Sequence, residues 1–403
     1  MNDPKPPRHV LPLIVAAQFA GTSLWFAVNA VMPELQRELG YPVSAVGALS
    51  SAVQLGFILG TLVFALLAVA DRHAPRTVFL ACALAGAGFN AAGALWPGGP
   101  ALESLWALRF ATGFCLAGIY PVGMKIAAAC YPQGLGRALG WLVGALVLGT
   151  ASPHALRALG THWPWPTVML AVSALAAAGG LALWWALPDG GQLPRASSLQ
   201  WRALGAIGAD RRLRASVLGY FGHMWELYTL WVLLPAILAT RLEGAALSWA
   251  AFAGIGAGAL GCVAGGWAAQ RHGSARVAGT LLATSGLCCL AAPWALGAGD
   301  GWFALWLLVW GVSVAGDSPQ FSALSASNAP RSAVGSVLTL VNCIGFAISI
   351  ASIELFVRLG AQLPLGLVLP ALALGPALGL WGLAPLLGAG PQRTPTPADS
   401  SRR

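Results

Sequence analysis

The chain has 403 residues, of which 57% are hydrophobic and only 9% are charged, and its mean hydropathy is +0.72. Soluble globular domains carry about 25% charged residues, so this composition excludes a water-soluble protein and indicates that lipid surrounds most of the surface. The net charge of +9 does not indicate nucleic-acid binding, because the basic residues lie in short gaps between apolar runs and form no stripe with interleaved aromatic residues.

Twelve apolar stretches are long enough to cross a bilayer as helices, which takes about 20 residues each. They run over residues 10–34, 43–70, 76–96, 101–131, 137–159, 164–187, 214–239, 246–269, 276–297, 302–327, 332–357 and 363–388. The first stretch follows the polar segment Met1–His9 and is too long for a signal-peptide core, so we expect it to remain in the mature protein as a spanning helix. The predicted fold class is an all-α membrane protein.

A long polar gap in the middle divides the twelve predicted helices into two sets of six. The other gaps are mostly short, whereas the gap from about Pro188 to Arg214 contains five arginines. The predicted organisation is an N-terminal six-helix bundle over residues 1–187, a central loop over 188–213, a C-terminal six-helix bundle over 214–390 and a tail over 391–403.

Three pairs of short sequences indicate that the two bundles are copies of one another. Gly21–Trp25 corresponds to Gly222–Trp225, Gly118–Pro121 to Gly316–Pro319, and Asp71–Arg76 to Gln270–Arg276. All three pairs are separated by about 200 residues, and this common offset is stronger than any single match. Two repeated six-helix halves are typical of secondary transporters, which bind their solute between the halves.

The loop between predicted helices 2 and 3 resembles the G-x-x-x-D-R-x-G-R-R motif of the major facilitator superfamily. Asp71, Arg72 and Arg76 match this motif, whereas Leu67 and Ala74 replace two of its glycines. Arginines at these positions can hydrogen-bond carboxylates or the C-termini of helices. The resemblance implies that the motif latches the two halves in the outward-facing state.

The loop between predicted helices 8 and 9 resembles the same motif. Gly266, Arg271, Gly273 and Arg276 match, but Gln270 stands where the motif has its acid. Because Gln270 carries no charge, we expect Arg271 and Arg276 to form a weaker latch than the first copy. On these motifs and the repeat, the chain is identified as a member of the major facilitator superfamily along nearly its whole length.

Predicted helix 4 resembles a second motif of the superfamily, R-x-x-x-G, with Arg109, Gly113 and Gly118. The strings Gly118–Lys125 and Gly222–Tyr228 resemble those of bacterial proteins loosely labelled nitrate/nitrite- or cyanate-type permeases. The fifth helix lacks the clean G-P-x-x-G-G run of drug antiporters, which favours uptake over export. The resemblance also implies that helices 1, 4, 7 and 10 line the central cavity.

Ionisable residues inside spans are costly and therefore point to function. Glu226 on helix 7 and Asp317 on helix 10 are the candidates for proton coupling, because a carboxyl group in a dry cavity can load and release a proton. His223 lies one turn from Glu226 and could exchange that proton. Lys125 and Arg109 on helix 4 are the candidates for holding an anion. The alternative is that these groups form structural pairs, snorkel to the interface or bond to helix backbone.

Uncharged and aromatic side chains on the same helices and on helix 11 are the remaining candidates for binding the substrate. They are Gln18, Trp25, Asn29, Tyr120, Tyr228, Trp231, Gln320 and Asn342, together with His223. Each of them could instead make a packing contact or a hydrogen bond between helices.

The function predicted from the sequence is secondary active transport, coupled to protons, of a small polar and anionic solute by alternating access. We expect a monomer in the bacterial inner membrane that needs no cofactor, binds no structural metal and catalyses no reaction. Drug or metabolite efflux by proton antiport is the main alternative. His223–Met224 leaves transport of a soft metal such as copper as a weaker one.

The distribution of positive charge predicts the orientation, because cytoplasmic loops carry an excess of Lys and Arg. With a cytoplasmic N-terminus, sixteen of the 22 lysines and arginines lie in cytoplasmic segments, four lie outside, and Arg109 and Lys125 lie within spans. Both termini and the central loop are therefore predicted to be cytoplasmic. Cysteines introduced at Ser197 and Thr396 should escape an impermeant maleimide in intact spheroplasts, measured against the labelling of the parent chain. Labelling of either position would reverse the predicted orientation.

Overall fold

The computed structural model describes residues 9–131, 135–187 and 199–388. Within these ranges the chain forms eighteen α-helices joined by short connections, and no β-strand. Apolar runs of about 20 residues form helices because a helix satisfies all of its backbone hydrogen bonds internally, which lipid requires.

The described part of the first half contains nine helices. They are α1 (Val10–Thr22), α2 (Met32–Leu39), α3 (Ala45–Leu66), α4 (Val69–Arg72), α5 (Pro75–Ala94), α6 (Leu102–Leu116), α7 (Tyr120–Cys130), α8 (Leu135–Leu159) and α9 (Trp165–Ala186). Two 3₁₀ turns, Ser23–Phe26 and Asn29–Val31, join α1 to α2. The chain bends there by 50°.

The described part of the second half has the same number of helices. They are α10 (Arg202–Ala209), α11 (Arg211–Leu238), α12 (Gly244–His272), α13 (Ser274–Gly297), α14 (Asp300–Gly316), α15 (Ser318–Asn328), α16 (Val334–Gly360), α17 (Leu365–Val368) and α18 (Leu374–Leu387). Helix α10 lies in the predicted central loop, and α11 begins three residues before the predicted start of the second bundle. We call the end of the bundle that carries α10 and the starts of α11 and α16 the linker end, and the opposite end the far end.

The predicted fold class is confirmed. Ten segments in the described ranges are long and apolar enough to cross a membrane, and the bent segment Val10–Leu39 makes eleven if it is one span. The predicted span 302–327 is the remaining one, and it consists of α14 and α15, which are interrupted at Asp317. Predicted helix 4 is interrupted in the same way between α6 and α7, so the repeat extends to the breaks in the helices.

The two halves meet along two seams that differ in chemistry. Along the α8–α12 seam, glycines bring the backbones together: Gly144 faces the Ala259 carbonyl, and a Cβ on Gly258 would touch Val147. The described side chains make no hydrogen bond across that seam. Along the α3–α16 seam, by contrast, polar side chains bond across it. Ser349 Oγ donates to Gln54 Oε1 at 2.8 Å and Ser51 Oγ donates to Glu354 Oε1 at 2.9 Å.

Candidate functional site

A small cavity lies at the centre of the molecule, between the two halves. Side chains of α7, α8, α11, α15 and α16 form most of its wall. The lining residues are Tyr120, Val143, Leu146, Val147, Tyr220, Met224, Leu227, Tyr228, Trp231, Ala315, Ser318, Asn342 and Phe346. Its volume is about 30 Å³, which is room for a few water molecules. Ligand pockets for drug-sized molecules measure about 300–1,000 Å³, so the halves must separate before a solute of that size can enter.

The face of α11 that lines this cavity follows from helical spacing. Tyr220, Met224, Leu227, Tyr228 and Trp231 recur at intervals of three and four residues, which places them on one side of a helix. Across the cavity wall, the Tyr220 hydroxyl donates a hydrogen bond to Asn342 Oδ1 at 2.8 Å. The wall is therefore mainly aromatic and aliphatic, with a few hydroxyl and amide groups.

Aromatic rings from both halves pack together beside the cavity. The Trp25 ring stacks on Tyr228 and Phe346, with centroids 5.8 and 5.5 Å apart, and it contacts Phe57 at 5.0 Å. Trp25 and Phe57 belong to the first half, whereas Tyr228 and Phe346 belong to the second. We call these four residues the aromatic cluster. It is a contact between the halves beside the central cavity.

Arg109 holds Trp25 in that position. Its guanidinium is buried and donates to the carbonyls of Leu24 and Trp25 at 2.8 and 2.6 Å, and to Asn90 Oδ1 at 3.1 Å. Leu24 and Trp25 lie in the 3₁₀ turn, where carbonyls lose their helical partners. Asn90 is fixed in turn by Ser173 Oγ and by a backbone carbonyl of α9. Arg109 therefore stabilises the bend and does not line the cavity.

His223 and Asp317 form a pair at the edge of the cavity. His223 Nδ1 lies 2.8 Å from Asp317 Oδ1, and both side chains are fully buried. Neither His223 Nε2 nor Asp317 Oδ2 has a hydrogen-bond partner in the described ranges. His223 precedes the lining residue Met224, and Asp317 lies between the lining residues Ala315 and Ser318. Incompletely satisfied buried groups beside a cavity are typical of functional sites.

Glu226 is buried in the second half and points away from the cavity. Its Oε1 accepts from Trp310 Nε1 at 2.6 Å and from Cys289 Sγ at 3.2 Å, and its Oε2 accepts from Ser285 Oγ at 2.9 Å. These donors belong to α13 and α14, so Glu226 ties three helices of one half together. His223 and Glu226, predicted to exchange a proton, have separate partners: His223 lies beside Asp317, whereas Glu226 bonds to side chains of α13 and α14.

Lys125 lies in a second cavity, at the linker end. Its Nζ donates to Asp71 Oδ1 at 2.5 Å and to the Ala70 carbonyl at 2.7 Å. This cavity has a volume of about 170 Å³ and is also lined by Gly335 and Ser336, at the start of α16 in the other half. The acid of the first motif therefore pairs with a lysine of its own half and faces the second half across this cavity.

The sequence profile of the family described as Major Facilitator Superfamily matches residues 14–353. This match covers most of the chain, and it agrees with the twelve predicted helices and the two repeated halves. The chain belongs to the Major Facilitator Superfamily. Members of this superfamily are membrane transporters, so the protein is a multi-pass membrane transport protein.

Two known proteins are similar to this superfamily member. A chloramphenicol resistance protein of Streptomyces lividans is 31% identical over 186 residues. That match covers 46% of this chain and 45% of the relative, so it spans less than half the length of the relative. The crystal structure of the human organic anion transporter MFSD10 (TETRAN) is similar over 94% of this chain and 100% of that chain, with a TM-score of 0.72 and 16% sequence identity. At that identity the likeness shows the fold alone.

The predicted substrate-binding residues of this superfamily member separate into three groups. Tyr120, Tyr228, Trp231 and Asn342 line the central cavity, and Trp25 and His223 lie directly behind its wall. Gln18, Asn29 and Gln320 are buried outside the lining, with Asn29 Nδ2 donating to Ser50 Oγ at 2.9 Å. Arg109 and Lys125 lie elsewhere, as described above. The resemblance to nitrate/nitrite- or cyanate-type permeases stays a prediction.

Three lining residues outside the sequence-based candidates are recognisable from helical spacing. Tyr220 lies eight residues before Tyr228 on α11, and Met224 lies midway between them. This spacing of four puts all three on one face of the helix. Phe346 lies four residues after Asn342 on α16 and follows the same rule.

The remaining residues of the two loop motifs have different surroundings. Arg76 donates to the Leu187 carbonyl at 2.7 Å and lies 5.8 Å from the Trp184 ring, so it caps α9 of its own half. Arg72, Arg271 and Arg276 are exposed. The latch inferred from the motifs stays a prediction for all of them.

Replacing Arg109 by Gln should destabilise the bend between α1 and α2. The carbonyls of Leu24 and Trp25 would lose charge-assisted bonds in a site that water does not reach, at a cost of about 3 kcal/mol. Thermal unfolding of the purified protein in detergent measures this change. Arg72→Gln, which removes the same charge from an exposed position, is the control and should change stability by less than about 0.5 kcal/mol. Equal melting temperatures for the two variants would contradict the role given to Arg109.

Proposed function

We propose that this protein exports a small aromatic or largely apolar solute without net negative charge, in exchange for protons, by alternating access between its two halves. The observation that carries the proposal is the lining of the central cavity. Its wall offers aromatic faces, aliphatic side chains, tyrosine hydroxyls, one amide and one serine, and no cation lines it within the described ranges. Such a wall is typical of sites for drug-like molecules.

The two candidate cations argue against an anionic solute. The Arg109 guanidinium is engaged by two backbone carbonyls and an amide, and freeing it would leave these acceptors unpaired in the core. Lys125 is paired with Asp71 in the linker-end cavity. An anion at the centre would therefore meet hydroxyl and amide donors alone. Desolvating its charge there would cost several kcal/mol that these donors recover only in part.

The His223–Asp317 pair supports proton coupling at the edge of the same cavity. Loading or releasing one proton changes the charge of the pair by one unit in a place that water does not reach. A charge of either sign is costly there, so proton transfer changes the relative stability of conformations that hydrate the pair to different extents. Asp317 also lies at the break between α14 and α15, where the chain can bend with little loss of helical bonding.

The direction of transport rests on the relative from Streptomyces lividans, which is named for chloramphenicol resistance. Resistance to a compound is consistent with its export from the cell. This similarity covers about half of each chain, and together with the apolar cavity it favours export over the uptake that the sequence alone indicated.

A ligand screen tests the proposed class of solute. Compounds that bind the folded state raise the melting temperature, by an amount that corresponds to about 2.7 kcal/mol at 100 times Kd. Uncharged aromatic compounds, with chloramphenicol as the first probe, should stabilise the purified protein, and nitrate, cyanate and benzoate should not. Trp231→Ala should weaken the affinity for these uncharged aromatic compounds at least tenfold. Trp294→Ala, which changes a tryptophan that is 75% exposed on α13, should leave it unchanged. Stabilisation by the anions alone would overturn the proposal.

Asp317→Asn should abolish coupling, whereas Glu226→Gln should preserve it. Both changes remove one buried carboxyl group from the second half, but only Asp317 borders the cavity. In proteoliposomes, Asp317→Asn should still exchange the solute identified by the screen while losing at least tenfold of the transport driven by a pH gradient. Glu226→Gln should lower the melting temperature and keep gradient-driven transport in the protein that remains folded. The reverse pattern would assign coupling to Glu226, and coupling retained in both variants would exclude both carboxyl groups.

A further inference from the structure

A groove at the linker end lies outside every site described so far. It runs between the first turns of α11 and the last turns of α18, and its volume is about 440 Å³. Its lining residues are Arg211, Arg214, Ala215, Leu218, Trp381, Gly382, Ala384 and Pro385. The groove therefore has two guanidinium groups at one end and an apolar wall along the rest.

The apolar part faces lipid. Trp381 is 76% exposed and Ala384 is exposed, on a helix that is part of a membrane-spanning segment. The floor is shallow because Gly382 lets α11 and α18 approach closely. A Cβ on Gly382 would overlap the Leu218 side chain. An occupant of this part must be apolar and must reach it from within the bilayer.

The charged part is available to an anion. Arg211 is exposed and makes no hydrogen bond or ion pair with any described residue. Among the described residues, the Arg214 guanidinium donates to the Gly208 carbonyl alone, which leaves its other nitrogens available to a ligand. The nearest acid, Asp210, accepts from the backbone nitrogens of Arg212 and Leu213 at 2.8 Å and caps α11.

The surroundings strengthen the preference for an anion. In the described part of the second half, seven arginines and one acid lie at the linker end. The acid is Asp210, and the arginines are Arg202, Arg211, Arg212, Arg214, Arg271, Arg276 and Arg331. Basic pockets between spanning helices on one side of the membrane are typical sites for anionic lipid headgroups. Trp381 has the amphipathic ring that is enriched at the membrane interface.

We propose that this groove binds one anionic phospholipid. The phosphate lies between Arg211 and Arg214, and one acyl chain lies along Leu218, Trp381 and Ala384. The combination of two cations with an apolar, lipid-facing wall distinguishes this occupant from the alternatives. Free phosphate would leave the apolar wall uncovered, and an acidic segment of a soluble partner could not reach Trp381 through the bilayer. The site is separate from the central cavity and does not depend on which solute the protein carries.

The test uses the purified full-length protein, delipidated in detergent and titrated with dioleoyl phosphatidylglycerol, with thermal unfolding as the readout. Phosphatidylglycerol should stabilise the protein saturably, and phosphatidylcholine at the same concentrations should not. Arg211→Gln should weaken the apparent affinity about fivefold, the effect of one arginine near an anionic headgroup. Arg212→Gln is the matched control, because it removes the same charge one residue away from a side chain that does not line the groove. It should change the affinity by less than twofold.

A second pair of variants tests the apolar part of the groove without changing any charge. Ala384→Trp should fill the apolar part and reduce phosphatidylglycerol binding at least fivefold. Ala377→Trp, which adds the same ring at an exposed position two turns away on α18, should not. Equal losses for Arg211→Gln and Arg212→Gln would mean diffuse attraction and would overturn the site. Equal stabilisation by inorganic phosphate, or full binding by Ala384→Trp, would overturn the lipid as its occupant.

Discussion

The central architecture depends on the bond between the Arg109 guanidinium and the carbonyls of Leu24 and Trp25. A 3₁₀ turn in the middle of a membrane leaves backbone acceptors without helical partners, and lipid offers no water to satisfy them. Arg109 supplies donors with a full positive charge, so the turn can persist. The 3₁₀ turn that Arg109 stabilises directs Trp25 towards the second half, where the Trp25 ring stacks on Tyr228 and Phe346. One buried cation thus places Trp25 against the second half.

The two buried acids of the second half show how position on a helix divides similar groups between different tasks. Glu226 has three donors around its carboxylate and binds α11 to α13 and α14, which suits a fixed structural role. Among the described residues, Asp317 has His223 as its close partner, and both side chains keep polar atoms without a partner. A group whose bonding is incomplete can change its proton with less disruption of its neighbours. This difference in bonding, and not depth in the membrane, separates the two residues.

The sequence predicts the helices well and the directions of their side chains poorly. Apolar length identifies the spans, and Gly-Ile-Tyr-Pro and Gly-Asp-Ser-Pro mark the two breaks because proline and glycine interrupt helical bonding. The cavity face of α11 is readable from spacing, as Tyr220 and Tyr228 illustrate. What spacing does not give is the partner across a helix interface. The sequence alone makes Arg109 and Lys125 candidates for holding an anion, because it does not show their bonds to Leu24, Trp25 and Asp71, which join segments far apart in sequence.

The unequal chemistry of the two seams has a mechanical consequence. Dispersion contacts between glycines and small apolar side chains change gradually as surfaces slide or tilt, so the α8–α12 seam resists small rotations weakly. Hydrogen bonds such as Gln54–Ser349 are lost over a fraction of an ångström, so the α3–α16 seam yields abruptly. When one seam deforms gradually and the other breaks over a small displacement, the two halves rotate about the seam that deforms gradually. We expect the axis of motion to lie along α8 and α12, and the energy barrier to lie along α3 and α16.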